Sequence, residues 1–350
     1  MGTAISFILI FFIIVVSHEL GHFILAKMNG IHVVEFSVGM GPTIFHRTKN
    51  GTKYALKLLP IGGACMFEGE DGLDTENGTP SEGAFPNASV WARISTVLAG
   101  PLFNFIIAYL IGIILVANSV TDLPVIKEVT DGGQAQAAGL QAGDVITKID
   151  QETIHIYRQI SLISTLNKGE PLEVTFERDG VSQTTIVTPA YDEESARYYM
   201  GITGPGELIE CTPLQTFQYA FYEVGFGVRT TVKSLGMLVQ GQLSKDDVAG
   251  PVGLVKVVGE SYDATKEYGF STVALTMLNI AMLLSVNLGI LNLLPIPALD
   301  GGRLVFFLIE VVRGKPVPPE KEGMIHLAGM IALMILMVVV LFNDISKFFV

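Results

Sequence analysis

Ile13-Ile14-Val15-Val16-Ser17-His18-Glu19-Leu20-Gly21-His22-Phe23-Ile24-Leu25-Ala26-Lys27 sets three polar, ionisable side chains into an otherwise apolar run. Residues four apart on a helix lie about 40° from one another. Both imidazoles therefore face the same way and suit one divalent ion, with Glu19 close enough to act as general base on a water that the ion activates. Ionisable groups in a membrane helix are costly and are read as functional, facing a protein interior or a watery cavity. The charge-free stretch from Met1 to Ser17 is short of the roughly 20 apolar residues that cross the hydrocarbon. It reaches that length only by continuing through His18, Glu19 and His22 to about Lys27. A cleaved signal peptide would open on basic residues, and Met1 to Ser6 has none, so the stretch is read as a retained span.

The rest of the chain supports a membrane setting. Of 350 residues only 16% are charged, against about 25% in an ordinary soluble domain, and the mean hydropathy is +0.49. Three further stretches lack Asp, Glu, Lys and Arg over a membrane-scale length: Ile94 to Thr121, Tyr268 to Leu299, and Gly323 to Asn343. The net charge of -12 argues against a nucleic-acid partner, because that binding runs on Lys and Arg clusters. Cys65 and Cys211 are too far apart to suggest a disulfide framework or a Cys-ligated zinc, so a metal here is held by His and carboxylate. Lys27, Arg47, Lys49, Lys53 and Lys57 follow the first span, and Arg303, Arg313, Lys315 and Lys321 lie in the short loop before the last. By the positive-inside rule both segments are cytoplasmic. The block between the second and third spans, and both termini, are then outside.

These marks predict a polytopic α-helical membrane protein of about four transmembrane helices with an inserted α+β domain; the strand and turn texture after the first span is either a cytoplasmic β turn that only packs or, as the resemblance given below implies, a membrane-associated β hairpin region. Residues 1–121 form an N-terminal membrane part, with spans at about 4–27 and 92–118 and the hairpin region at 34–70. Residues 122–200 form an extracytoplasmic domain. In it Val125-Ile126 and Val145 to Ile149 read as strands, Tyr157 to Leu166 as a helix, and Leu172 to Glu177 as a strand turning at Arg178-Asp179-Gly180 into Val181 to Val187. Ala138-Gly139-Leu140-Gln141-Ala142-Gly143-Asp144-Val145-Ile146 resembles the carboxylate-binding loop and following strand of a bacterial PDZ domain. The resemblance implies that Gly139 and Leu140 help receive a peptide C-terminus, by strand addition with loop amides on the carboxylate. The alternative is a spacer or steric filter. Residues 201–267 read as an amphipathic connecting region broken at Ala249-Gly250-Pro251, and residues 268–350 as a C-terminal membrane part with spans at about 270–294 and 323–343.

Two His ligands need a third. Asp300 is 278 residues beyond His22, at the end of Asn292-Leu293-Leu294-Pro295-Ile296-Pro297-Ala298-Leu299-Asp300-Gly301-Gly302. Pro295 and Pro297 remove two backbone donors and loosen the helix, and irregular backbone at membrane depth is tolerated only in protein or beside a hydrated cavity. Taken alone, Asp300 is either the third ligand or an interfacial residue paired with Arg303. His32, His46, His155 and His326 have no ligand-spaced partner and read as ordinary polar residues.

The H-E-x-x-H helix, the N-x-x-P-x-P-x-x-D-G segment and the PDZ-like insert between them closely resemble the site-2 protease family of intramembrane metalloproteases, over nearly the whole chain. Ala99-Gly100-Pro101-Leu102-Phe103-Asn104 and Ser285-Val286-Asn287-Leu288-Gly289 also look like that family's segments. The resemblance implies one zinc ion held by His18, His22 and Asp300, Glu19 as catalytic acid/base, and Asn292 assisting the substrate or transition state. It also implies a membrane-reentrant hairpin, covering Phe36 to Pro42 with Gly39 and Gly41 and then Tyr54 to Gly63, whose edge takes an unwound substrate strand beside the Pro295–Pro297 turn. Partners would be single-pass transmembrane proteins already cut outside by another protease, such as anti-sigma factors, or remnant signal peptides. The location would be a bacterial cell membrane, with the active site toward the cytoplasm. A single PDZ-like unit departs from members that carry a tandem pair. The rival reading is a non-catalytic membrane adaptor or chaperone with a structural metal; a transporter is weaker, because no pair of interrupted helices is duplicated.

Overall fold

The computed structural model describes residues 2–70, 81–193, 197–242 and 250–347; Met1 and Ala249, quoted above, lie outside the described residues. Two compact units emerge, Met1–Ile111 with Gly227–Val350, and Gly112–Phe226.

Helix α1 (Gly2–Met28) buries Ile10, Ile14, His18, Gly21, His22 and Ala26, a row at three- and four-residue spacing, while Ile5, Leu9 and Phe12 stay exposed. A helix that is apolar all round and covered on one side belongs in lipid. Strands β1 (Val33–Lys49) and β2 (Thr52–Phe67) follow. They are too long and too bent to form one simple hairpin. Thr43 to Lys49 pairs antiparallel with Thr52 to Lys57 around the Asn50-Gly51 turn, and Val33 to Val38 pairs antiparallel with Gly63 to Phe67. Between these pairs Glu35, Phe36, Ser37 and Val38 match Lys53, Tyr54, Ala55 and Leu56 in the same direction. Two strands thus make a small four-segment sheet, with 63–67 along one edge. Gly39 (φ +89) and Gly41 (φ +88) sit where β1 bends from one pairing to the other. A Cβ at Gly39 would stand 2.5 Å from the Leu59 carbonyl oxygen, so neither the conformation nor the space admits a side chain.

Helix α2 (Val90–Ala117) contains Pro101. Close approaches fix it between its neighbours: a Cβ on Gly21 would lie 2.3 Å from the Ala99 carbonyl oxygen, and one on Gly289 would lie 3.3 Å from that of Pro101.

The second unit holds β3 (Val120–Asp122), β4 (Glu128–Val129), the single turn α3 (Gln134–Ala137), β5 (Val145–Ile149), β6 (Glu152–Thr153), α4 (Tyr157–Leu166), β7 (Leu172–Arg178), β8 (Val181–Val187), β9 (Ala190–Asp192), β10 (Arg197–Tyr199), β11 (Ile202–Thr203) and β12 (Leu208–Glu210). Its main sheet runs β6-β5-β7-β8, with β9-β10, β4-β11 and β3-β12 as separate antiparallel pairs. Leu140, Ile146, Ile149, Ile160, Val174 and Phe176 form its own core; each such side chain contributes about 1.5–3 kcal/mol on burial. The helix and the β7–β8 turn fall where the spacing predicts them. The pairings of β11 and β12 carry the folded insert past residue 200, because strands after that point complete sheets that begin at Val120 and Glu128.

Helix α5 (Pro213–Val239) continues from one unit into the other; α6 (Pro251–Thr265), α7 (Phe270–Leu293), α8 (Asp300–Arg313) and α9 (Pro319–Ser346) follow. The short loop expected before the last span is instead largely the helix α8. Its apolar positions 304, 307, 308 and 311 have helical spacing, Asp300 opens it and Arg313 ends it, which suits the helix dipole. Leu304 and Phe307 pack with Ala26, Val33, Phe67, Phe85 and Val97. Among the described residues four helices, α1, α2, α7 and α9, have spanning length and hydropathy. The protein is a polytopic α-helical membrane protein with a β hairpin region and an inserted α+β PDZ-like domain.

Candidate metal centre

Three side chains from two elements meet at one point. Helix α1 supplies His18 and His22 from one face, and the first residue of α8 supplies Asp300. The Nε2 atoms of the two histidines are 3.2 Å apart and lie 3.2 and 3.5 Å from Asp300 Oδ2. Ligands about 2.0–2.1 Å from a tetrahedral zinc are separated by about 3.3–3.4 Å, so the three atoms have the spacing of one face of that tetrahedron. The imidazoles are buried, and Asp300 Oδ2 is buried with no hydrogen-bond donor aimed at it. His22 Nδ1 donates to the Thr96 carbonyl at 2.9 Å, which leaves the Nε2 of the neutral ring as a lone pair pointing at the carboxylate. Converging lone pairs without a proton between them repel, and a shared cation removes the conflict. The donor set fits a zinc ion.

Support comes largely from α2. Fully buried Asn104 has its carboxamide nitrogen 3.2 Å from His18 Nδ1 and its Oδ1 3.2 Å from Ser17 Oγ, and its backbone carbonyl accepts a 2.9 Å hydrogen bond from Ser285 Oγ. When Nε2 is the ligand atom, Nδ1 carries the ring proton, and Asn104 accepts it with the carboxamide turned by 180°, its oxygen toward His18 Nδ1 and its nitrogen toward Ser17 Oγ; such partners orient metal ligands. Gly100 makes room: a Cβ there would be 2.2 Å from His22 Nε2 and 2.8 Å from His18 Cε1. Thr96, Gly100 and Asn104 recur at i, i+4, i+8 and so share one face of α2. Sequence reasoning assigned them no role, although Gly100 and Asn104 both lie in the segment Ala99 to Asn104 and Thr96 is four residues before Gly100.

Glu19 lies on the side of α1 that meets the sheet edge. The Cys65 backbone amide faces its carboxyl, and a Cβ on Gly63 would be 2.9 Å from its Cγ. Asn292, at the end of α7, holds its side-chain nitrogen 3.3 Å from His18 Nε2. Pro295 and Pro297 lie in the turn between α7 and α8, where Gly301 and Gly302 press on the Leu294 and Ile296 carbonyls. Arg303 pairs with Glu70, not with Asp300. Gly39 and Gly41 serve the bend of β1. In the second unit, Gly139 (φ +85) and Leu140 lie beside a groove of about 370 Å³ lined also by Val129, Gln136, Gln141 and Ala142. The amides of Gly139, Leu140 and Gln141 already donate to Gln136 O, Ala135 O and Asp144 Oδ2, and the Leu140 side chain is in the core. The Gly139 carbonyl accepts from Arg178. The predicted carboxylate-binding role therefore has no amide free at these two positions.

Spanning helices that enclose two histidines, an aspartate and a neighbouring glutamate define a polytopic membrane zinc metalloprotease. The chain belongs to peptidase family M50, the site-2 proteases, whose family model matches residues 6–336. It is 36% identical over 431 aligned residues to the zinc metalloprotease RasP of Bacillus licheniformis, covering 100% of each chain. RasP of Geobacillus kaustophilus is 34% identical over 425 residues, covering 100% of this chain and 99% of that one. The regulator of sigma-W protease RasP of Bacillus subtilis is 32% identical over 427 residues, with the same coverage. Among solved structures, the PDZ domain of the SdrC-like protein of Listeria monocytogenes aligns to 23% of this chain and 86% of its own, at 24% identity and a TM-score of 0.21.

Proposed function

We propose that the protein is an intramembrane endopeptidase that cleaves the transmembrane segment of single-pass membrane proteins, and that the convergence of His18, His22 and Asp300 beside Glu19 within spanning helices carries this reading. His18 Nε2, His22 Nε2 and Asp300 Oδ2 would hold one zinc ion, which when bound would supply Lewis acidity to the scissile carbonyl and to the attacking water. Glu19 takes the proton of that water and delivers it to the leaving amine. The Asn292 side-chain N–H groups donate to the substrate carbonyl as negative charge develops there. A helical substrate keeps its amides locked in hydrogen bonds, so it must unwind first. The 63–67 edge, whose Cys65 amide faces the Glu19 carboxyl, offers backbone groups to an extended strand, and Pro295 and Pro297 would contact the same strand.

The Lys and Arg distribution supports a multi-pass protein in a bacterial cell membrane, with the metal centre toward the cytoplasm and the insert outside. The substrate class is a membrane-anchored regulator such as an anti-sigma factor, or a remnant signal peptide, shortened beforehand by another protease; the name of the Bacillus subtilis relative, a regulator of sigma-W, agrees with the former. The internally satisfied amides of Gly139, Leu140 and Gln141 favour an insert that filters by size over one that grips a C-terminal carboxylate.

The test is cleavage of a panel of tagged single-pass substrates by purified protein in detergent. Wild type should cleave at least one, Glu19→Gln should lose about 10²–10⁴-fold in rate while keeping its zinc, and a chelator should abolish cleavage until zinc is restored. Equal product from wild type and Glu19→Gln on a validated substrate would sink the mechanism.

A further inference from the structure

The turn that delivers Asp300 can be accounted for donor by donor. Leu294 N–H reaches Leu291 O at 3.1 Å, Ile296 N–H reaches Leu294 O at 2.7 Å, and Leu299 N–H reaches Ile296 O at 3.1 Å. Pro295 and Pro297 have no N–H. One donor in this turn is satisfied from another element: Ala298 N–H donates to His326 Nδ1 of α9 at 2.9 Å. Ala298 also has φ +77, a region that residues with a Cβ rarely adopt. The other described non-glycine residues there, Asn50, Asp150 and Asp179, are of the types that tolerate it. An alanine in this conformation persists where its surroundings hold it.

Helix α9 presses on the turn at a second point, one turn beyond His326. A Cβ on Gly329 would be 2.4 Å from Pro297 Cβ and 2.6 Å from its carbonyl oxygen, so the helix and the turn touch backbone to backbone. Glu322 Oε1 lies 4.0 Å from His326 Nε2. A carboxylate on that side favours the ring proton at Nε2 and leaves Nδ1 as the acceptor that Ala298 requires. Phe306 of α8 lies against the imidazole with ring centres 5.4 Å apart.

We propose that His326 is a positioning residue of the metal centre: by accepting the Ala298 amide it holds the Pro295–Leu299 turn in the one conformation that presents Asp300 to His18 and His22. The inference rests on the reading of Asp300 as a zinc ligand. Ala298 lies on the exposed side of the turn, and where that side meets lipid no other acceptor is at hand and an unpaired amide is costly, so removing His326 drives the turn to another conformation. Asp300, two residues on, moves with it, and ligand geometry tolerates only about 0.5 Å. The sequence hides this, because a lone histidine in an apolar helix has no partner at ligand spacing.

The experiment uses the full chain purified in detergent, comparing His326→Leu with His326→Gln, whose side-chain oxygen can accept the same amide. Zinc affinity is read by chelator competition, amide exchange of the 294–300 segment by mass spectrometry, and folding by the thermal transition of the metal-free protein. His326→Leu should weaken zinc binding by about tenfold or more and speed exchange in the segment, and His326→Gln should recover most of both. Wild-type zinc affinity in a folded His326→Leu protein, or equal impairment by Leu and Gln, overturns the proposal. Fast exchange at the Ala298 amide of the wild type overturns it as well, even where His326→Leu fails to fold. Asp300→Asn, run alongside, separates the two readings. If that variant keeps zinc, the ligand assignment falls; a normal His326→Leu beside a zinc-free Asp300→Asn overturns only the positioning role.

Discussion

Two glycines near the metal centre exclude side chains for different reasons, and the difference is measurable. Gly100 lies under the imidazoles, where a Cβ would be 2.2 Å from His22 Nε2, while Gly63 lies under Glu19, where a Cβ would be 2.9 Å from Glu19 Cγ and from Val15 Cγ1. Alanine favours a helix more than glycine does, so damage from Gly100→Ala would come from the displaced ligands and not from helix propensity. Gly100→Ala should lower zinc affinity by about tenfold or more, the range for groups that orient ligands, with activity lost in parallel. Gly63→Ala should keep its zinc and lose about 10²-fold or more in kcat, the scale of a misplaced general base. Zinc content and kcat measured on the same preparations check both. Full zinc in Gly100→Ala, or a zinc loss in Gly63→Ala that matches its activity loss, contradicts this division of labour. The H-E-x-x-H spacing was legible in the sequence because four residues make nearly one helical turn. Gly100 was not, because a glycine's role is set by what approaches it.

At the level of elements, the four-segment sheet is anchored by one carboxylate. Glu35 is buried in β1, with Lys53 Nζ at 2.8 Å from one oxygen and Lys57 Nζ at 2.8 Å from the other. Burial acts to raise its pKa, but the Lys53 hydrogen bond and the Lys57 ion pair outweigh it and hold the group down to about 2. A carboxyl with a depressed folded pKa stabilises the fold fully above its ordinary value near 4.5, and that stabilisation is lost as the pH falls from there through about 2. Exchange of the β1 and β2 amides should therefore be level from neutral pH to about pH 5, after correction for intrinsic rates, and accelerate below it. Glu35→Gln should exchange faster at neutral pH and lose most of the acid dependence. An unchanged acid profile in that variant would assign the effect elsewhere. A hairpin region was expected at 34–70, but the same-direction pairing of Glu35 to Val38 with Lys53 to Leu56 was not legible, since register is chosen by which faces find cover.

For the molecule as a whole, the insert is joined to the rest at neighbouring points. Val120 pairs with Glu210, and Asp122 with Leu208, so a short linker can replace the residues between them without separating the flanking chain. If the insert filters substrates by size, a protein lacking residues 123–207 should cleave an already shortened substrate at the wild-type rate and should also cleave the unshortened one. Loss of cleavage of the shortened substrate, with zinc still bound, would mean that the insert recruits substrate. The four spans were legible as charge-free stretches of membrane length. The extent of the insert was not, because β11 and β12 are too short to read as strands until β4 and β3 are beside them. The helix α8 had a readable pattern that the charges of Arg303 and Arg313 obscured, since they marked the segment as a loop.

The sequence alone determined the apolar spans, the histidine pair on one helix face, and the proline-interrupted turn ahead of Asp300. These features are local, and periodicity, charge gaps and missing amide donors write them directly into the chain. Tertiary structure decided which groups meet. The separation of 278 positions between His22 and Asp300 is closed by α1, α2 and α7 packing through Gly21 and Gly289, and the turn is held by His326 from the last helix. Contacts of that range depend on the approach of whole helices, a property that no short window of sequence contains.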